Sequence, residues 1–219
     1  MQKLVKGLQH FQSNVFAHER EFYEEAARGQ SPETMLITCS DSRIVTNLVF
    51  GHRPGDVFEV RNAGNLVPSY GAHFGAEAAA LEFGLTVLKV KHIVVCGHSQ
   101  CGAMKAVLDP ASVDGLPALK EWLRFADVTG RVVKDNFPEL EGADLLHKAT
   151  CHNVLCQLDN LRTHPAVAAR LVRGDLHLHA WVYSIEKGEV LAYNPAEFTF
   201  APLNQGAAAI LADRTPQPA

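Results

Sequence analysis

The stretch His92-Ile93-Val94-Val95-Cys96-Gly97-His98-Ser99-Gln100-Cys101-Gly102 decides the fold. After His92 the run is apolar and β-branched, the pattern of a strand buried on both faces of a parallel sheet. Gly97 ends it, and two metal-type donors, His98 and Cys101, follow within one turn. A second run of the same kind lies upstream, Thr34-Met35-Leu36-Ile37-Thr38, and it too ends in chemistry: Cys39-Ser40-Asp41-Ser42-Arg43. Ligands of open parallel sheets bind beyond the carboxyl ends of the strands. If these two strands are neighbours, Cys39, His98 and Cys101 face one gap.

Working outward, Val57-Phe58-Glu59-Val60 reads as a short strand, and a loop punctuated by Gly64, Pro68, Gly71 and Gly75 leads to a helix over about 75–89. The helix carries a small apolar stripe of Ala76, Ala79, Ala80, Phe83 and Val87, suited to close packing on a sheet. Helices are expected near 100–108, 117–136 and 140–162. Two strands, 176–186 and 189–194, are joined at Lys187-Gly188. Strands alternating with helices make this an α/β domain with a mainly parallel sheet, flanking helices and an antiparallel hairpin at one edge. Residues 1–28 form an amphipathic N-terminal helical arm, with Leu4, Leu8, Phe11, Val15 and Phe22 on one side. That arm packs either on its own domain or on a second subunit. The division is an arm over 1–28, a catalytic domain over 29–213 and a short tail over 214–219.

Composition bounds the function. With 47% hydrophobic and 20% charged residues, the 219-residue chain is an ordinary globule, not a disordered or fibrous one. Twenty basic against 24 acidic residues give a net charge of −4, which excludes a broad footprint for nucleic acid or an anionic membrane. No apolar run reaches the length of a membrane span, and the N-terminus lacks a secretory pattern. Five scattered cysteines fit reduced thiols, so a cytoplasmic protein is expected.

Two thiolates and an imidazole suit zinc, and three protein ligands leave the fourth tetrahedral position for water, as catalytic sites do. The plainer alternative is a buried core cysteine and two turn residues. Asp41 and Arg43 sharpen the zinc reading: a carboxylate two residues past a ligand can accept a hydrogen bond from a metal-bound water, and a guanidinium can hold it ionised.

The segments Cys39 to Arg43, Arg61-Asn62-Ala63-Gly64-Asn65-Leu66-Val67-Pro68 and Gly97 to Ala103 resemble the β-class carbonic anhydrases, most closely the plant and cyanobacterial branch. Gln30-Ser31-Pro32, Leu81-Glu82-Phe83-Gly84 and His179-Ala180-Trp181-Val182-Tyr183 extend the resemblance across about residues 30–194. It implies one zinc per chain on Cys39, His98 and Cys101, with hydroxide as fourth ligand. It further implies that Asp41 accepts the hydroxide's proton, that Arg43 holds Asp41, and that Gln30 and the Gly102 N–H meet the substrate oxygens. Phe58, Ala63 and Phe83 fall where the family lines an apolar pocket for carbon dioxide. Ala63-Gly64 replaces a bulkier pair, and Phe83 stands where tyrosine is common. Family members are dimers or larger assemblies with the active site near the subunit interface. Some switch off at low pH when the aspartate itself ligates zinc; Gln30 resembles the branch that stays open. Two thiolates donate more charge than imidazoles, so activity is expected to rise into alkaline pH. Carboxysome residence is left open.

Rival readings are weaker. Gly97-His98-Ser99-Gln100-Cys101 lacks the second glycine of a serine hydrolase elbow, and no phosphate-binding loop motif occurs. A Cys101–His98 nucleophile pair leaves Cys39 without a role. Hydrolysis of carbonyl sulfide or carbon disulfide on the same zinc, or a purely structural zinc, remain as alternatives. Cys96 and Cys151 read as core residues, Cys156 is poorly placed to share a metal with Cys151, and His177 and His179 alternate on one strand face, either a partly exposed face or a second metal pair.

Overall fold

The computed structural model describes residues 1–203; the expected tail over 214–219 and the end of the expected domain lie outside the described residues. The elements run α1 (Gln2–His10), a π-type turn (Phe11–Phe16), α2 (Arg20–Ala26), β1 (Thr34–Cys39), α3 (Thr46–Phe50), β2 (Val57–Asn62), α4 (Ala76–Thr86), β3 (His92–His98) and α5 (Gly102–Leu108). They continue with α6 (Pro117–Leu123), α7 (Asp127–Asn136), α8 (Gly142–Arg162), α9 (Pro165–Arg173), β4 (His177–Ser184), β5 (Glu189–Asn194) and β6 (Thr199–Pro202).

The six strands form one sheet in the order β2-β1-β3-β4-β5-β6. β1 pairs in parallel with both β2 and β3, and β3 with β4, so the two strands carrying the donors are neighbours. β5 and β6 turn back antiparallel at the edge, so the expected hairpin is extended by a third strand. Met35, Ile37, Ile93, Val95, Leu178, Ala180 and Val182 point to one side, where α4, α8 and α9 close the main core. The alternate residues Leu36, Val94 and Cys96 form a smaller cluster on the other side with Phe50 and Trp181. Period-two alternation of the side chains makes this division. Gly97 admits a close approach of sheet and α8, since a Cβ there would lie 3.0 Å from Val154 and 3.1 Å from Thr150.

The long helix expected over 117–136 is broken by a 3₁₀ turn at Arg124–Ala126, where Phe125 rings with Trp122 at 5.4 Å and with His73 at 5.8 Å. The N-terminal helices bury no residue. α2 is tied to its own domain by Arg53, which pairs with Glu19 and lies 3.8 Å over the Phe22 ring. α1 leaves Leu4 and Leu8 exposed.

Candidate metal centre

β1 and β3 end side by side, and the donor atoms of Cys39, His98 and Cys101 all lie within 4.8 Å of one another. All three residues are buried, His98 completely. The His98 Nδ1 lies 2.9 Å from the Ser99 carbonyl oxygen. A carbonyl only accepts, so Nδ1 carries the hydrogen and Nε2 holds a bare lone pair. That Nε2 is buried with no hydrogen-bond partner among the described residues. Two thiols and one orphaned imidazole nitrogen at this spacing fit zinc, whose ligand bonds of about 2.0–2.3 Å set tetrahedral donors roughly 3.5 Å apart.

Hydrogen bonds prepare the thiols for such a cation. The Cys101 S–H facing the Cys39 sulfur, with the Gly64 and Asp41 N–H groups assisting, holds the Cys39 thiol below its ordinary range against the opposing effect of burial. The Gly64 N–H donates to Cys39 Sγ at 3.4 Å. Cys101, giving its hydrogen bond and buried beside that thiolate, is pushed up.

Asp41 faces the triad, its Oδ2 3.9 Å from His98 Nε2. Arg43 clamps it in a fork: Nε donates to Oδ1 at 2.9 Å and Nη2 to Oδ2 at 2.7 Å, while the Arg43 N–H also donates to Oδ1 at 2.9 Å. That guanidinium holds the Asp41 carboxyl well below the usual carboxylate range. Arg43 Nη2 also donates to the Gln100 carbonyl at 3.1 Å, joining the two strand-end loops. Gln100 itself takes φ +56°, a left-handed conformation that turns the chain between His98 and Cys101.

Several supporting residues escaped the sequence reading. Arg61, on β2 beside β1, donates to the carbonyls of Cys39 (2.9 and 3.1 Å), Asp41 (3.1 Å) and Ile44 (3.0 Å) and so staples the ligand loop. Ser99 hydrogen-bonds Glu186 through its hydroxyl, which accepts the Ile185 N–H at 2.9 Å, so the carbonyl orienting His98 is anchored to the end of β4. The loop after β2 hangs from α8: Asn153 donates to the Gly64 carbonyl at 3.1 Å, Gln157 accepts the Val67 N–H at 2.8 Å, and Asn160 donates to the Val67 carbonyl at 2.8 Å. Gly64 takes φ +82°, and a Cβ there would lie 2.9 Å from the Ala103 Cβ. No local pattern marks the three α8 residues, because their partners lie about ninety positions away.

The expected pocket residues divide. Ala63 follows β2 directly beside the triad, and its carbonyl accepts the Trp122 Nε1–H at 2.8 Å. Gly102 opens α5 with free space before it. Phe58 sits in register with Met35, whereas Cys39 pairs with Asn62, which places Phe58 roughly 13 Å away along the strands. Phe83 packs on Phe58 at 5.9 Å, and Gln30 precedes the amino end of β1. Within one chain, Gln30, Phe58 and Phe83 lie at the opposite end of the sheet from the triad.

The carbonic anhydrase family model matches residues 34–190, spanning β1 to the start of β5 and all three donors. The chain belongs to the β-carbonic anhydrases. It is 49% identical to the carbonic anhydrase of Synechocystis sp. over 195 residues, 89% of this chain and 71% of that one. The solved structure of the β-carbonic anhydrase CcaA superposes with a TM-score of 0.91 at 47% identity, covering 93% of this chain and 99% of that one. A tetrameric β-carbonic anhydrase from Sordaria macrospora gives a TM-score of 0.79 at 26% identity, covering 87% and 95%. β-Carbonic anhydrase membership agrees with the Cys-His-Cys donor set and does not favour the sulfur-gas hydrolase or the structural-zinc reading. No helix among the described residues is long and apolar enough to cross a membrane.

Proposed function

We propose that this β-carbonic anhydrase catalyses the reversible hydration of carbon dioxide to bicarbonate and a proton, with one zinc held by Cys39, His98 and Cys101. The observation that carries the reading is the Asp41–Arg43 fork aimed at the triad, since a structural metal needs no oriented carboxylate beside it. Zinc, when bound, acidifies water from a pKa of about 15.7 towards 7 and so supplies a nucleophile near neutral pH.

The side chains direct that nucleophile. Arg43 keeps Asp41 ionised, so at neutral pH Asp41 only accepts: Oδ2 takes a proton into a hydrogen bond and fixes which lone pair is left for the substrate carbon. The Gly102 N–H, at the start of α5, donates to a developing bicarbonate oxygen. Ser99 keeps the His98 ring in one tautomer, which fixes the position of Nε2.

Substrate capture belongs to a second copy of the chain. Gln30, Phe58 and Phe83 are too far from their own triad to touch substrate, so they complete the triad of a partner in a symmetric dimer, an apolar wall and an amide for a small nonpolar gas. The exposed apolar side of α1 supports a role for the arm in that contact. All five cysteines are free thiols, which supports a reducing location such as the cytoplasm.

Stopped-flow carbon dioxide hydration by zinc-loaded protein tests the proposal. The parent turns over rapidly, and Cys39→Ser loses zinc and at least about 10³-fold of the rate. A zinc-replete parent without turnover would overturn it.

A further inference from the structure

Three histidines outside the zinc centre meet at the other end of the sheet. His92 begins β3, and His177 and His179 lie on β4, with His92 in register with His177 and Val94 with His179. All three side chains fall on the face turned away from α8. His92 Nδ1 and His179 Nε2 are 3.1 Å apart. The His92 and His177 rings stack at 5.2 Å with 25° between their planes, and His177 Nδ1 is buried without a hydrogen-bond partner among the described residues.

We propose that His92 and His179 form a second divalent-metal site that prefers Ni2+ or Cu2+ to Zn2+, with the stacked His177 ring beside it. Nitrogens 3.1 Å apart share at most one proton, and a metal ion replaces that proton once the two rings tilt off their common axis. Two metal–nitrogen bonds of about 2.1 Å subtend roughly 95° across that separation, closer to the right angle of octahedral or tetragonal ions than to tetrahedral zinc. The donor set is imidazole alone, which suits copper, nickel and zinc alike, so the narrow bite angle sets the preference here, whereas the two thiolates at the far end of β3 favour zinc.

The electrostatics permit a cation. Burial, then the neighbouring His177, push the His92 pKa down, so the ring is neutral at pH 7 and needs no deprotonation to bind. The Glu33 carboxylate attracts positive charge at His92, and Lys91, paired with Glu33 at 2.5 Å, offsets part of it.

The test uses untagged, zinc-loaded protein titrated with NiCl2 by calorimetry, while a chromogenic indicator reports any zinc released. One nickel per chain is expected beyond the retained zinc, with ZnCl2 binding at least about tenfold more weakly at the same place. His92→Gln and His179→Gln each weaken nickel at least about tenfold, and His152→Gln on α8 leaves it unchanged. Zinc content and melting temperature report the folding of each variant. In the parent, nickel selectively broadens the ring-proton resonances of His92, His177 and His179, a readout that needs no variant. Nickel that binds only by displacing zinc, binds His92→Gln and His179→Gln as it binds the parent, or leaves those three rings unbroadened overturns the site.

Discussion

The two ends of β3 carry histidines of one chemical type in different company. At the carboxyl end His98 is wholly buried, its Nδ1 is committed to Ser99, and a fixed carboxylate and two thiols face its Nε2. At the amino end His92 is half-buried and its ring's hydrogen-bond partner among the described residues is another imidazole, His179. The difference lies in the scaffold. Loops at the carboxyl end are stapled by Arg61, Arg43 and Ser99, whereas at the amino end His92 meets the His177 and His179 rings across neighbouring strands. A preorganised end holds its donors ready for chemistry; a loosely held end adapts to an ion at the expense of affinity.

Each variant below breaks or sharpens that contrast, in falling order of effect. Asp41→Asn keeps the shape but removes the acceptor, and carbon dioxide hydration should fall about 10²–10⁴-fold with zinc retained, by stopped flow and metal analysis. Equal loss of zinc and rate would make Asp41 a merely structural residue. Ser99→Ala unties the carbonyl loop from Glu186 and Ile185, so zinc affinity or turnover should drop about 10–100-fold. Removing the amino-end partner His179 should leave turnover within twofold of the parent, about the scatter of such assays.

A subunit-mixing experiment asks whether the two ends meet between chains. Gln30→Ala and Cys39→Ser should each be poorly active alone, and their reassembled one-to-one mixture should recover up to about a quarter of parent activity, since half the dimers are mixed and each has one intact site. A mixture no more active than the average of its components would place the whole pocket within one chain.

The smallest effect concerns acid stability. His92 is held below its ordinary pKa of 6.5, so the unfolded chain takes up the proton first as pH falls, and stability is lost on descending through that value. His92→Gln should flatten the drop in melting temperature between pH 7 and 5.5, by no more than about 4 °C. Asp41 loses stability in the same direction but in a more acid window: its depressed pKa keeps the Arg43 pair intact above the ordinary carboxylate range, and the pair is lost only in stronger acid. Between pH 5 and 7 Asp41→Asn should therefore leave the slope unchanged, whatever it does to the absolute melting temperature.

Sequence reading succeeded where the signal is local. Apolar runs announced β1 and β3, Cys39 and His98 close those strands and Cys101 follows within a turn, so the triad needed only the assumption that the strands are neighbours. It missed α3, α9 and β6, whose five, nine and four residues carry too short a pattern to separate from loops. It read 117–136 as one helix, because helical periodicity continues through residues that the Trp122–Phe125–His73 contact bends into a 3₁₀ turn.

By itself, then, the sequence determined which residues can bind a metal and where each strand stops, because hydrophobic period and turn chemistry act over a few residues. Only the tertiary structure decided what surrounds them. Arg61 reaching the Cys39 loop, Asn153 and Gln157 holding the loop after β2, and His92 meeting His179 all join segments from 22 to about ninety positions apart. Strand order and packing create those contacts, and no property of the residues taken singly specifies them. The separation of Gln30 and Phe58 from their own triad has the same origin: parallel pairing places the two ends of a strand at opposite ends of the sheet.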